Sequence, residues 1–133
     1  MEYYVEAGPK TKRFIESLLP SMLEQLKLTR SRQLLHIIVD RDIEHLAETI
    51  PMPGIGTVLV VLKPTRKLLD LGITLAHELT HVAQFAKGTL QVAPKGKLWK
   101  GRFYGNDVAY LQQPWEIDAF SKQELIFRRA IEL

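Results

Sequence analysis

The sequence predicts an α+β domain. Three segments repeat apolar residues at helical spacing, and three short runs are apolar and mostly β-branched or aromatic. The intervals between them carry Gly and Pro. With 133 residues and no repeat, low-complexity tract or long linker, residues 1–133 read as one domain with its own core.

In the first segment, residues 9–28, Phe14, Leu18, Leu19, Met22, Leu23 and Leu26 follow a helical pattern. Pro20 is expected to interrupt it, since proline lacks an amide proton and its ring meets the preceding turn. Ser21 with Glu24 would then cap a second short helix. QLLHIIV (33–39) and GTVLVVL (56–62) read as strands, and IPMPGIG before the second as a loop. RDIEHLAET fits no pattern cleanly, and a short helix is the expectation there. The helix that carries HELTH comes next, with Asp70 as its N-cap and Gly88 as its left-handed stop. KLWKGRFYG (97–105) alternates as a third strand. QPWEIDAFSKQELIFRRAIEL is the last helix, with Pro114 in the first turn, where a missing donor costs nothing.

Composition removes several classes of function. There is no cysteine, which excludes disulfides, thiolate metal sites and a cysteine nucleophile and leaves His, Asp and Glu as the strong ligands. Eighteen Lys+Arg against 15 Asp+Glu give a net charge of +3, too small a basic excess to imply nucleic acid. The densest basic patch, Lys95, Lys97, Lys100 and Arg102, reads as a solvated edge strand whose lysines deter aggregation. The N-terminus lacks a signal-peptide pattern, and no apolar run approaches the ~20 residues that span a bilayer. A cytoplasmic location away from membranes is the expectation.

HELTH, residues 77–81, is the segment with chemistry in it. At about 100° per residue, His77 and His81 lie about 40° apart, on a stripe opposite Leu75, Leu79 and Val82. That apolar stripe suffices to dock the helix, and the histidines are expected to face away from it. Four-residue spacing lets both imidazoles reach one ion, while Glu78 is rotated off the pair and borders the same space. The pentapeptide would arise by chance in roughly one shuffled chain in 150, so a third ligand is needed to separate a metal site from a helix with surface histidines.

No histidine follows His81. The third ligand must be a carboxylate, with Asp107, Glu116, Asp118 and Glu124 as candidates, or an upstream histidine. His36, inside an apolar strand, reads as a core histidine and His45 as an exposed one. On the last helix Glu116 shares a face with Ala119, Phe120, Gln123, Phe127 and Ala130, whereas Asp118 falls on the opposite, solvent side. A lone carboxylate heading an apolar face costs several kcal/mol in effective desolvation unless it is paired or metal-bound. Glu116 is therefore the natural third ligand, although a first-turn glutamate is also favoured by the helix dipole alone.

HELTHVAQ and PWEIDAF, with WKGRFYG and Tyr110 between them, resemble the zincin metallopeptidases. More narrowly they resemble the gluzincin branch, and within it small metallopeptidase-like proteins of phage and bacterial genomes. The resemblance covers about residues 56–130. It implies a zincin-like fold in which a small, mainly antiparallel sheet packs on the HExxH helix and the C-terminal helix, and an edge strand lines the cleft. It implies Zn2+ held by His77, His81 and Glu116, with Glu78 as general base. One position departs from the pattern: Phe120 stands four residues after Glu116, where thermolysin-like members carry an Asp that orients a histidine. Thr74, Gln84 or a backbone carbonyl would have to take over that task.

The expected function is zinc-dependent hydrolysis of a peptide or protein substrate, with Tyr104, Tyr110 or Arg102 as candidates to stabilise the oxyanion. The third strand is expected either to offer an edge on which an extended peptide pairs, with Gly101 giving room for its backbone, or to lie centrally with Gly101 at a bulge. The alternatives are a non-catalytic, metal-stabilised binding or structural module, such as a virion or toxin-complex component, and a basic DNA-associated protease. An intact Glu78 weighs against the first, since a structural site needs no base.

Overall fold

The structure, a computed structural model, describes residues 1–132. Strand β1 (Glu2–Glu6) leads into helix α1 (Pro9–Gln25). Strands β2 (Leu34–Val39), β3 (Ala47–Met52) and β4 (Thr57–Leu62) follow, then helix α2 (Leu68–Ala86). Three short strands, β5 (Leu90–Ala93), β6 (Gly96–Trp99) and β7 (Arg102–Gly105), precede helix α3 (Pro114–Ile131). The α+β class stands. No described helix is long and apolar enough to cross a membrane.

The larger sheet has the order β1-β2-β4-β3, and the smaller one is the antiparallel meander β5-β6-β7. The expected mainly antiparallel sheet against the HELTH helix is a mixed one. β1, β2 and β4 run parallel, and only β3 opposes its neighbour β4. Parallel pairing of β1 with β2 needs a crossover, which α1 supplies.

Alternation along the strands makes the larger sheet one-sided. Val5, Leu35, Ile37, Val58, Val60 and Leu62 are buried and join the core formed with all three helices. His36 points the other way. It is half-exposed, its Nε2 lies 3.0 Å from Glu6 Oε1, and it is therefore not the core histidine expected from its apolar strand.

Four other expectations change. Pro20 sits inside a continuous α1, so there is no second short helix. Pro20 is on the exposed face, where water can serve the carbonyl that loses its partner, while Leu19, Met22 and Leu23 anchor the helix. RDIEHLAET is not helical: a turn leads into β3, which also takes the first residues of the expected IPMPGIG loop. Pro51 is tolerated because β3 is an edge strand. KLWKGRFYG is two strands rather than one, reversed at Lys100 and Gly101, whose φ angles of 51° and 83° make a tight two-residue hairpin turn. Finally, Asp70 lies in the first turn of α2 and Lys67 is the N-cap. Gly88, at φ 74°, does follow the end of α2, as its position suggested.

Helix α2 lies between the larger sheet and α3. Leu71, Leu75, Leu79 and Val82 enter the core, each worth ~1.5–3 kcal/mol for its burial. Gly72 meets the ring of Phe127, and Ala119 is fully buried, so α2 and α3 approach closely. That approach covers the polar stripe of α2. The histidines are turned from the sheet, as expected, but they are buried under α3 rather than open to solvent.

Candidate metal centre

His77, Glu78, His81 and Glu116 retain only 6–8% of their surface. His77, Glu78 and His81 offer ligand atoms that all lie within 4.8 Å of one another, so this buried group could hold a metal ion. Glu116, from the first turn of α3, comes closer to the imidazoles. Its Oε1 is 2.8 Å from His77 Nε2 and 3.1 Å from His81 Nε2. Tetrahedral ligation with bonds of ~2.0–2.1 Å would set ligand atoms about 3.3 Å apart, near the His81 separation and about 0.5 Å longer than the His77 one. No hydrogen bond links Glu78 to either histidine. Its Oε1 accepts one from Thr49 Oγ1 at 2.8 Å. Glu116 thus meets both imidazoles at hydrogen-bond distance, and Glu78, part of the group that could hold a metal ion, is held beside them by the edge strand.

The hydrogen bonds behind the histidines decide where their protons sit. Gln84 Nε2 donates to the Trp115 carbonyl at 3.0 Å and to Asp118 Oδ2 at 2.9 Å. Its amide is thereby oriented, and Gln84 Oε1, 2.8 Å from His81 Nδ1, must accept. A neutral His81 then carries its proton on Nδ1 and a lone pair on Nε2. That lone pair confronts the lone pairs of Glu116 Oε1. Two acceptors at 3.1 Å are compatible only with a cation between them, either a proton or a metal ion. His77 Nδ1 lies 2.8 Å from Gln123 Oε1.

The charges follow from the same contacts. Burial would raise the Glu116 carboxyl, but hydrogen bonds from His77 and His81 and their charge outweigh it and hold the group at about 2. Burial would lower His81, yet Glu116 and Gln84 leave it above its ordinary value. The Glu78 carboxyl is pushed up by burial, against His81, the Thr49 hydroxyl and His77. Glu116 is thus an anion facing two imidazoles, and Glu78 a carboxylate made more basic by its surroundings.

Two cavities flank Glu78, and both are bordered by Ala47 and Glu48 of β3 and by Tyr110. One, of about 520 Å³, reaches His77 and is walled by Leu46, Ile73 and Phe120. The other, of about 180 Å³, reaches His81 and Glu116 and is walled by Lys97 and Trp115. The edge strand beside the centre is therefore β3. Of the expected third strand, only Lys97 of β6 borders one of these cavities, and Gly101 sits in a hairpin turn with open space around it.

Among the oxyanion candidates, Tyr110 lines both cavities, and its hydroxyl is shifted upward by burial and by the charge of Glu116 and Glu78. Tyr104 and Arg102 line neither. The Tyr104 ring packs edge-on against Trp115, and Arg102 stacks over Tyr104.

Gln84 orients His81, as one of the candidates for that task. Thr74 does not take part, since its hydroxyl donates to the Asp70 carbonyl. Asp118, expected in solvent, instead anchors Gln84 and pairs with Lys122 Nζ at 2.9 Å. Phe120 stands where an orienting Asp was absent and packs edge-on against the His77 ring, while Gln123, three residues further, meets Nδ1. Sequence reasoning put Gln123 on the Glu116 face without giving it this task. It missed Thr49 altogether, because that residue lies in the segment read as a helix. Searches of protein-family models, curated proteins and solved structures return no match to this chain.

Proposed function

We propose that this protein is a zinc-dependent peptidase in which His77, His81 and Glu116 are the metal ligands and Glu78 is the general base. The observation that carries the reading is the confrontation of His81 Nε2 with Glu116 Oε1. It asks for a cation at the point where the imidazoles and the carboxylate converge. Two histidines and a carboxylate are a donor set that suits zinc, and zinc is its usual occupant. The likeness of HELTHVAQ and PWEIDAF to gluzincins supports the same set of ligands.

Zinc bound there supplies Lewis acidity, polarising a scissile carbonyl and making water a competent nucleophile near neutral pH. The rest of the chemistry falls to the chain. Gln84 and Gln123 keep the histidine Nδ1 atoms engaged, so that both Nε2 atoms point to the centre. Glu78, bordering both cavities, takes a proton from the attacking water and delivers it to the leaving amine. Its raised basicity suits a proton acceptor. Thr49 fixes the carboxylate's rotamer by donating its one hydroxyl hydrogen to Oε1 at 2.8 Å, with the Glu78 backbone carbonyl 3.2 Å from the same oxygen. Tyr110, at the meeting of the two cavities, is the donor best situated for the developing oxyanion. An extended substrate would lie along β3, whose outer edge has no strand partner.

The test is cleavage of an unbiased peptide mixture by zinc-loaded protein, followed by mass spectrometry. Wild type should release new termini, and Glu78→Gln, folded and still holding zinc, should lose ~10²–10⁴ of the rate. Equal cleavage by both would refute the assignment of Glu78.

A further inference from the structure

The two cavities beside Glu78 differ in chemistry, and the difference centres on Lys97. On the His77 side the cavity is mainly apolar, walled by Leu46, Ile73 and Phe120, with Glu48, Thr74 and Gln123 at its border. On the His81 side Lys97 is the lysine bordering the same cavity as Glu48, Glu78, His81 and Glu116. Lys97 belongs to β6, the middle strand of the meander, between Val92 and Tyr104. Its Nζ lies 5.2 Å from the centre of the Trp115 ring, in a stack that continues through Tyr104 to Arg102. Trp115 is the residue before Glu116, and its carbonyl holds Gln84. The ammonium group is thus tied by packing to the frame of the centre.

Lys97 is only partly exposed, and no carboxylate among the described residues comes within 4.0 Å of its Nζ. The aromatic face attracts the cation but accepts no conventional hydrogen bond from it. Three donors therefore remain to be satisfied at the wall of a cleft. A surface lysine meets this need with water. A lysine that shares a small cavity with a general base meets it best with an anionic group of whatever occupies that cavity.

Resting on the peptidase reading, we propose that Lys97 is the carboxylate-binding residue of the cleft. Preferred substrates then carry a carboxylate on the His81 side of the reacting bond. It can come from an Asp or Glu side chain or from a free C-terminus, since both present the same group to Nζ. The apolar cavity across Glu78 would take an uncharged side chain from the other side of that bond.

The test has two readouts. In the first, a peptide cleaved from the mixture is resynthesised with Glu, Gln or Lys at each position near the cut, as free acid and as C-terminal amide. Wild type should favour Glu over Gln at one position, or acid over amide, by about ten- to hundredfold in kcat/KM. The arm in which the preference appears identifies its source. Lys97→Met keeps the packing on Trp115 without the charge and should abolish the preference. Lys97→Glu should reverse it toward Lys, and Lys97→Arg should retain it.

The second readout needs no turnover. Zinc-loaded Glu78→Gln protein carrying Trp99→Phe reports binding of Ac-Ala-Phe-Ala-Glu and Ac-Ala-Phe-Ala-Gln, as acids and amides, through Trp115 fluorescence. The Glu or free-acid form should bind more tightly, and Lys97→Met should erase the difference. Glu78-dependent cleavage with the same preferences in wild type and Lys97→Met would overturn the role of Lys97 and leave the peptidase reading standing. Lys97-dependent carboxylate binding without cleavage would do the reverse. Neither cleavage nor selective binding would overturn both.

Discussion

His81 Nε2 and Glu116 Oε1 stand 3.1 Å apart, and because Gln84 Oε1 accepts from His81 Nδ1, a neutral His81 would meet Glu116 with a lone pair, so that a proton or a metal ion has to lie between them. The arrangement is built by two helices acting together. HELTH supplies the imidazole, PWEIDAF supplies the carboxylate, and Gln84 bridges the two through Trp115 and Asp118. Each part of this chain of contacts can be removed separately.

Gln84→Leu removes the acceptor at His81 Nδ1 and frees the imidazole to rotate. Zinc affinity should fall ~10–100-fold, the usual cost of losing a partner behind a ligating histidine. Competition against a chromophoric chelator measures it. Asp118→Ala leaves Gln84 one anchor, the Trp115 carbonyl, and should cost less than Gln84→Leu. An unchanged affinity in Gln84→Leu would mean that the proton position on His81 is set by some other contact.

Thr49→Val removes the hydroxyl that holds Glu78 Oε1 while preserving the branched shape of a β3 residue. The metal should stay, and kcat should fall about tenfold, as the carboxylate samples rotamers away from the reacting water. The Michaelis constant should change less, because the substrate-facing wall is kept. A large loss of zinc in this variant would mean that Glu78 is a ligand rather than a base.

Gly72→Ala places a methyl group against the Phe127 ring, at a contact between α2 and α3. Overpacking of this kind costs ~1–3 kcal/mol. Urea unfolding should show that loss, together with weaker zinc binding, since the same helix pair carries all three proposed ligands. Unaltered stability would indicate that Phe127 can swing clear without disturbing the centre.

The parts legible in the sequence are those written in periodicity. The face arithmetic of HELTH and of the last helix brought His77, His81 and Glu116 toward one point because side-chain direction along a helix follows from residue number. The strands around Ile37 and Val60 were legible for a similar reason, since β-branched runs have few other uses. Residues 41–49 failed because a charged, turn-rich entry masks the onset of an edge strand that is only half-buried, and Thr49 was lost with it. The hairpin at Lys100 and Gly101 was missed because a lysine at positive φ gives no signal in composition. Pro20 misled because the usual cost of an internal proline was outweighed by the buried residues on either side of it. Asp118 misled in another way: a wheel shows which side a residue leaves from, not that Gln84 reaches over from α2 to meet it. The parallel pairing of the larger sheet depends on how α1 crosses over, and local pattern does not encode that.

The most direct measurement is zinc content after dialysis, by mass spectrometry of the metal, for wild type, His81→Ala and Glu116→Ala, with folding checked by circular dichroism. Wild type should retain one zinc per chain, and both folded variants should lose it, with affinities lower by orders of magnitude. Retention of zinc by a folded Glu116→Ala, or a wild type that takes up no metal at micromolar zinc, would contradict a centre built from His77, His81 and Glu116.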